Sequence, residues 1–329
     1  MKKNQYLISL WIASVYFLMG MLGHIMAIPP GVATPIWPAS GFAIVMVLLL
    51  AKEAWLGIFL GAFLTNIEPL IIRDVISLDA STFYAGIGIG VGSLLQAIFG
   101  AWVIKDKFSN AIWKSANTFL LFSISIPLIC LISSSIGTLS LYATGLIETV
   151  DFAETWLTWW LGDSVGVLLI TPLVIAWIIK EYLLKATVAL AVLYLGLITS
   201  TLFSFGFFFI DNSHYTMVFL SWPILLVFAL RYEIIHTYLA MHIVSAVAII
   251  LTYNGTGPFY VDDLNSSLLL LQTYIIVTTV TIMTIVAISA RQRDAEYKLV
   301  SENKERIKSE LSLIKLRDSL EIQVKERTK

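Results

Sequence analysis

The chain has 329 residues, of which 58% are hydrophobic and 13% charged, and its mean hydropathy is +0.86. This balance excludes an ordinary soluble domain. The formal net charge of −1 conceals an uneven distribution, because 19 of the 43 charged residues lie between Arg291 and Lys329. The single cysteine, Cys130, excludes an intrachain disulfide. We therefore predict a membrane-embedded domain over residues 1–290 and a charged cytoplasmic segment over 291–329.

Apolar runs long enough to cross a bilayer recur along the first 290 residues. The first run is too long for a signal peptide and has no small-residue cleavage site, so we expect an uncleaved helix. We predict an all-α integral membrane bundle with ten transmembrane helices, over 6–28, 35–51, 54–72, 81–104, 117–144, 155–179, 186–210, 215–230, 233–253 and 266–290. Eight helices are the alternative, because a short run such as 35–51 or 215–230 could form a re-entrant hairpin with its successor.

Positive charges in the short connections set the predicted orientation, because cytoplasmic loops are enriched in Lys and Arg. With ten crossings, only Arg73 falls in an outer connection. Both termini are then cytoplasmic, as in a multi-pass protein of the bacterial inner membrane. The basic residues of the inner connections are Lys52, Lys105, Lys107, Lys114, Lys180, Lys185, Arg231, Arg291 and Arg293.

Two Trp-Pro pairs, Trp37-Pro38 and Trp222-Pro223, each begin an apolar run that turns at charged residues and returns. Their separation of about 185 residues is consistent with an internal repeat of the kind seen in transporters. Chance resemblance between two membrane hairpins is the other interpretation.

Polar side chains within the predicted spans are candidate functional residues, because an unpaired ionisable group is costly in a bilayer. The predicted topology places most of them in the outer halves of their helices, where they could line one outward-facing cavity. These outer residues are His24, Asn66, Glu68, Asp163 and Gln272.

The segment Trp156–Trp177 carries one carboxylate, Asp163, among tryptophans and glycines. Indole N–H groups can donate to a carboxylate, and aromatic faces can hold a cation or a flat ligand. The alternative is an interfacial tryptophan belt with Asp163 as a structural hydrogen-bond acceptor. The ligand-binding candidates are Trp37, Asn66, Glu68, Trp159, Trp160, Asp163 and Gln272. We expect no cofactor, no metal site and no catalytic residues, since the histidines lack metal-ligand spacing.

Two motifs carry a family resemblance. The stretch WPASG places Trp37, Pro38 and Gly41, and WWLGDSVG places Trp159, Trp160, Gly162, Asp163 and Gly166. Both resemble motifs of the first type of membrane-associated sensor domain, the MASE family, although Ala39 stands where we expect a second proline. The resemblance covers nearly the whole membrane block. It implies an integral membrane sensor module of a bacterial histidine kinase or diguanylate cyclase.

The segment after Arg291 has no Pro or Gly, so we expect the last span to continue as one cytoplasmic helix. Val300, Ile307, Leu311 and Ile314 have coiled-coil spacing, and the later leucines suggest a shifted register. A parallel homodimer is the prediction, and a solvated single helix is the alternative. No kinase or cyclase motif follows, so we expect the chain to belong to a longer receptor.

The predicted function is therefore a signal-input module that passes a change in helix packing to an output domain, with a kinase favoured over a cyclase. Its expected partners are the lipid bilayer, a second copy of the chain, and an unidentified small molecule or membrane protein. Nucleic acid is not expected, because the basic residues of the tail alternate with acidic ones. The alternatives are a transporter-like carrier or binding protein, and an anchor that only dimerises its output domain.

Overall fold

A computed structural model describes residues 2–27, 34–72, 80–108, 116–179, 187–206 and 217–328. All regular structure within these ranges is helical, as the sequence predicts. The ten α-helices are α1 (Lys2–His24), α2 (Pro38–Leu50), α3 (Trp55–Ile72), α4 (Ala80–Phe108), α5 (Ala116–Ala143), α6 (Thr149–Ile179), α7 (Val188–Ser204), α8 (Trp222–Arg231), α9 (Ile234–Tyr253) and α10 (Leu264–Arg327). Short 3-10 turns precede α3 and α8, over Ala51–Ala54 and Val218–Ser221.

Seven stretches among the described residues are long and apolar enough to cross a membrane. Two shorter apolar helices, Val188–Ser204 and Val218–Arg231, accompany them. The chain is therefore a polytopic helical membrane protein. The seven stretches are Gln5–His24, Pro38–Ile67, Ala80–Lys105, Ala116–Ala143, Thr149–Ile178, Ile234–Tyr253 and Leu264–Arg327.

Helices α1 and α3 run parallel to each other, and glycines on α3 allow their close contact. A Cβ built on Gly57 would lie 2.6 Å from the carbonyl oxygen of Ser9, and one on Gly61 would lie 2.6 Å from the Cβ of Tyr16. Residue numbers rise together along both helices. In lipid, helices associate through close packing because the hydrophobic effect does not drive them together, and small residues let the backbones approach closely.

Helix α2 runs in the opposite direction. The ring centroid of Trp37, at the start of α2, lies 5.1 Å from that of His24 at the end of α1. The ring centroids of Phe42 and Trp11 lie 6.0 Å apart. Helix α2 therefore returns the chain to the end of the bundle where α1 begins, and the turn at Ala51–Ala54 lies at that end. Pro38 occupies the first turn of α2, where its missing N–H costs no hydrogen bond.

Successive helices continue to run in opposite directions through α4, α5 and α6. On α4, Gly86 packs on Ile67 and Gly90 on Phe59, so residue numbers fall along α3 as they rise along α4. Helix α5 is antiparallel to α4, because Gly92 contacts Ile136 and Gly100 contacts Ile129. Helix α6 is antiparallel to α5, because Trp156 contacts Ser135 and Trp160 contacts Pro127.

The last four helices repeat the arrangement of the first four. In the first unit α1 contacts α2 and α3, and α4 contacts α2 and α3; in the second, α7 contacts α8 and α9, and α10 contacts α8 and α9. Tyr194 contacts His236 and Phe205 contacts Gly257, so α7 and α9 are parallel, as α1 and α3 are. Both units also contain a Trp-Pro pair at the start of the second helix. This correspondence favours an internal repeat over chance resemblance.

Helix α10 is 64 residues long and begins at a capping residue, Asp263, whose carboxylate accepts a 2.7 Å hydrogen bond from the amide of Ser266. Hydrogen bonds from the side chain and backbone of Ser266 lower the pKa of Asp263 below its ordinary value. The first part of α10 packs in the bundle. Its continuation is exposed from Ala295 to Thr328.

Helices α2 and α6 cross at backbone contact. A Cβ on Gly41 would lie 2.6 Å from the carbonyl oxygen of Gly166, and one on Gly166 would overlap the carbonyl oxygen of Trp37. Both obstacles are backbone atoms, which no side-chain rotation can remove. Any larger residue at either position must separate the two helices.

We expect Gly166→Ala to lower the free energy of unfolding by about 1–3 kcal/mol through overpacking. The matched control is Gly196→Ala on α7, where the nearest atom to a new Cβ is a side-chain carbon of Ile224 at 3.7 Å. There the gain in helix propensity should leave stability unchanged or higher. Thermal unfolding of the purified proteins in one detergent measures both, and equal melting temperatures would contradict the tight crossing.

Candidate functional site around Asp163

The Asp163 carboxylate lies inside the bundle, with none of its side chain exposed. The Ser40 hydroxyl of α2 donates to one carboxylate oxygen at 2.7 Å, and the Gln96 amide of α4 donates to the other at 3.1 Å. The Ser133 hydroxyl of α5 and the Trp159 indole of α6 lie close to the same group. Four helices thus contribute polar groups to one carboxylate.

Neutral donors surround this carboxylate, and it forms no ion pair with any described residue. Hydrogen bonds to an ionised form offset part of the cost of burying the charge. The other amide atom, Gln96 Oε1, is buried and has no hydrogen-bond partner within the described chain. Rotating this amide by half a turn would present Oε1 to a protonated Asp163. The site can therefore accommodate a carboxylate or a carboxylic acid with the same side chains.

The Trp-Pro motif joins the site to the start of α2. The Trp37 amide donates to the carbonyl oxygen of Gly162 at 3.0 Å, and its indole N–H donates to the Tyr16 hydroxyl at 3.3 Å. A side chain would not fit at Gly162, because the carbonyl oxygen of Thr34 occupies the position of the Cβ atom. The segment 34–37 therefore lies directly on α6 at Gly162, the residue before Asp163.

Helix α10 is also hydrogen-bonded to segment 34–37. The Gln272 amide donates to the carbonyl oxygen of Pro35 at 2.9 Å, and Gln272 is fully buried. About two turns earlier on α10, Asn265 accepts a 2.7 Å hydrogen bond from the Thr158 hydroxyl of α6. The long helix is thus bonded both to α6 and to the segment that precedes α2.

A small cavity lies beside these contacts, lined by Thr34, Trp37, Asn66 and Trp159. Its volume of about 10 Å³ is enough for about one water molecule. The Asn66 amide donates to the carbonyl oxygen of Ala62 within its own helix. A ligand larger than water would have to displace part of this lining.

The structure brings together some of the sequence candidates and separates others. Trp37, Asn66 and Trp159 line the cavity, and Trp159 also approaches Asp163. Trp160, another ligand-binding candidate, has different neighbours: its indole donates to the carbonyl oxygen of Pro127 at 2.8 Å and its ring stacks on Trp156. The side chain of Glu68 lies outside the described residues.

Gln272 bonds the backbone of Pro35 instead of facing this cavity. The proline and the three glycines of the two motifs meet where α6 contacts α2 and the segment that precedes it. These are Pro38, Gly41, Gly162 and Gly166.

Sequence reasoning missed the partners of Asp163. Gln96 is recognisable as a polar residue inside a span, but nothing in the sequence pairs it with Asp163. Ser40 carries even less signal, because serines in membrane helices commonly bond their own backbone, as Ser134 does to Cys130. Within the described ranges, no group of three or more His, Cys, Asp or Glu side chains could hold a metal ion.

Comparison with known protein families gives a match to a sensor domain. The family model of MASE1, membrane-associated sensor domain 1, matches residues 8–293. A search of curated proteins and a search of solved structures found no match. Since the matched region covers almost all of the membrane bundle and both tryptophan motifs, this chain belongs to the MASE1 family of membrane sensor input domains.

Proposed function

We propose that this chain is the membrane input module of a bacterial receptor and that α10 passes the state of the site around Asp163 to an output domain. The hydrogen bond from Gln272 to Pro35 carries this proposal. It connects the helix that leaves the membrane to the segment that also lies on α6, beside Asp163. A change at the site therefore has a direct route to the output helix.

The proposed signal is a shift between two packings of the bundle. A ligand changes such an equilibrium only through its different affinities for the two states. The small cavity beside Trp37 and Trp159 fits a closed state, and a bound molecule that displaces the Trp37 indole would move segment 34–37. Helix α10 is one continuous helix, about 96 Å long at 1.5 Å per residue. A rigid movement of the part inside the bundle would therefore also move its exposed C-terminal end.

The proposed contacts of the ligand are the sequence candidates. Trp37, Asn66 and Trp159 are supported by their position at the cavity, and Asp163 by its closeness to Trp159. Two indole faces and a carboxylate without a cationic partner suit a small molecule or ion. A membrane protein that contacts the outer end of the bundle could displace the same segment. Glu68, Trp160 and Gln272 remain candidates from the sequence.

A second candidate function is a transporter-like carrier, which the repeated four-helix arrangement favours. A carrier must open the site to both sides in turn, whereas a receptor needs only a change that reaches α10. A kinase or cyclase sequence after Lys329 in the gene would decide for the receptor.

We propose ten crossings, with both termini in the cytoplasm and the protein in the inner membrane. The opposite directions of α2 and α3 divide the stretch Pro38–Ile67 into two crossings. The two shorter apolar helices supply the remaining two. Helix α2, at about 20 Å, is short for a bilayer of about 30 Å, so the segments on either side of it, 34–37 and 51–54, have to cover part of the thickness.

The proposed output is a histidine kinase, favoured over a cyclase, reached through a dimeric helix over 291–329. Val300, Ile307, Leu311 and Ile314 lie on α10 with 45–55% of each side chain exposed. A second copy would cover this stripe in a parallel coiled coil.

A cysteine placed at Ile307 should form an interchain disulfide in membranes of a Cys130→Ala protein, because it faces the proposed seam. A cysteine at Lys308, on the next face of the helix, is the control and should cross-link much less. Equal cross-linking at both positions would indicate random collision and would contradict the coiled coil.

A cysteine at Lys52 should be labelled by a membrane-impermeant maleimide only after the cells are opened, because ten crossings place this turn in the cytoplasm. Glu148, an exposed residue between α5 and α6, is the control and should be labelled in intact cells. Labelling of the Lys52 position from outside would overturn the ten-helix topology.

Asp163→Asn and Asp163→Leu separate a ligand contact from a structural acceptor. Asn keeps the acceptor for Ser40, and rotation of the Gln96 amide lets the two amides pair, so we expect a stable protein. Leu leaves buried donors unpaired, at about 1–3 kcal/mol each, so its melting temperature should fall. If Asp163 contacts the ligand or ion, the Asn variant should be stable but unresponsive.

Thermal unfolding and a reporter of output in the full-length receptor measure both properties. An Asn variant with normal stability and normal response would show that Asp163 is structural only. A Leu variant with normal stability and normal response would exclude both roles.

Gln272→Leu should leave folding largely intact but weaken the coupling between the site and the output, because it removes the bond from α10 to Pro35. The matched control is Thr273→Val, since the Thr273 hydroxyl bonds the carbonyl oxygen of Leu269 within its own helix. We expect both substitutions to give stable receptors, with a response to the stimulus that falls severalfold in the Gln272→Leu protein and is unchanged in the Thr273→Val protein. An unaltered response in the Gln272→Leu protein would refute this route.

A further inference from the structure

A second, larger cavity lies where α10 leaves the membrane bundle, far along the chain from Asp163. It is formed between the first turn of α5 and one side of α10, and its volume is about 320 Å³. That volume is within the range of small-molecule sites. The lining residues are Ala116, Asn117, Ile288, Arg291, Gln292 and Ala295.

The lining changes from apolar to polar along α10. Ile288 belongs to the last turn of the apolar stretch and has 53% of its side chain exposed. Arg291 and Gln292 follow it one turn later, and Asn117 faces them from α5. Such a lining fits an amphiphile, with its apolar part beside Ile288 and its polar group beside Arg291.

The charge of the lining selects the polar group. Arg291 is the one charged side chain among the described lining residues, and it forms no ion pair with any described residue. A guanidinium group binds phosphate through two parallel hydrogen bonds. The amides of Asn117 and Gln292 can donate to the remaining phosphate oxygens.

We propose that this cavity binds the phosphate of an anionic phospholipid headgroup, with Arg291, Asn117 and Gln292 as its donors and Ile288 against the lipid's glycerol and acyl region. Pockets with basic residues between membrane helices on the cytoplasmic side bind anionic lipid headgroups. The site takes only its leaflet from the proposed topology and is independent of any ligand at Asp163. A lipid bound here bridges α5 and α10, so membrane composition would bias the helix that leads to the output.

The test uses the purified full chain in nanodiscs of phosphatidylcholine with increasing phosphatidylglycerol. Native mass spectrometry counts the retained lipid, and thermal unfolding reports its effect on stability. We expect phosphatidylglycerol to be retained and to raise the melting temperature, and Arg291→Gln to weaken this binding about tenfold, the loss of one charge-assisted contact. Since Arg291 is exposed, the substitution should not prevent folding.

Arg293→Gln is the matched control, because it removes the same charge from the same helix two residues away, on another face. Equal weakening by both substitutions would show general attraction to an anionic surface and would overturn the site. Inorganic phosphate and glycerol phosphate form the second arm. If either stabilises the protein as much as phosphatidylglycerol does, the site binds a free anion and the lipid assignment is wrong.

Signalling by the outer site is measured separately, through the Asp163 and Gln272 variants. Failure of the lipid test therefore leaves the proposed function standing. Conversely, an Asp163 variant that responds normally does not affect the lipid site.

Discussion

The buried carboxylate of Asp163 is the constraint on which the first half of the bundle depends. A charge away from water must be hydrogen-bonded, and no described basic residue pairs with it, so neutral donors have to come from neighbouring helices. Ser40 reaches the carboxylate only because α2 crosses α6 at backbone contact, which Gly41 and Gly166 permit. The glycines and the aspartate of the two motifs therefore have one physical explanation: close approach makes the hydrogen bond possible.

The sequence predicts the parts of this arrangement that depend on one helix at a time. Apolar length identifies a helical, multi-pass membrane protein, and the Trp37-Pro38 pair marks the start of α2. The rotation of each helix about its axis is different, because neighbouring helices decide it. Trp159 and Trp160 point about 100° apart on α6, and only packing against α5 shows that Trp160 bonds Pro127 while Trp159 faces the site. Gln96, 67 positions from Asp163 in the chain, is hidden for the same reason.

The repeated arrangement gives α10 a counterpart in α4. Each is the last helix of its four-helix unit and contacts the second and third helices of that unit. Helix α4 supplies Gln96 to the carboxylate, and α10 supplies Gln272 to the backbone of Pro35. The two corresponding helices thus bond neighbouring parts of one site. They differ in length, since α10 extends beyond the bundle as an exposed helix.

The strength of the proposed coupling depends on the number of bonds that hold α10 at the site. One hydrogen bond contributes about 0.5–1.5 kcal/mol net, which changes an equilibrium by about two- to twelvefold. Allosteric coupling typically needs 1–3 kcal/mol, so the bond to Pro35 alone supplies the lower part of this range. The bond between Thr158 of α6 and Asn265 also holds α10, and it would change together with the bond to Pro35 if α10 rotated or slid. Two bonds that break together supply enough free energy for a switch, whereas two that break separately only loosen the helix. The rigidity of α10 between Asn265 and Gln272 favours the first case, because less than two turns of continuous helix separate the two bonds.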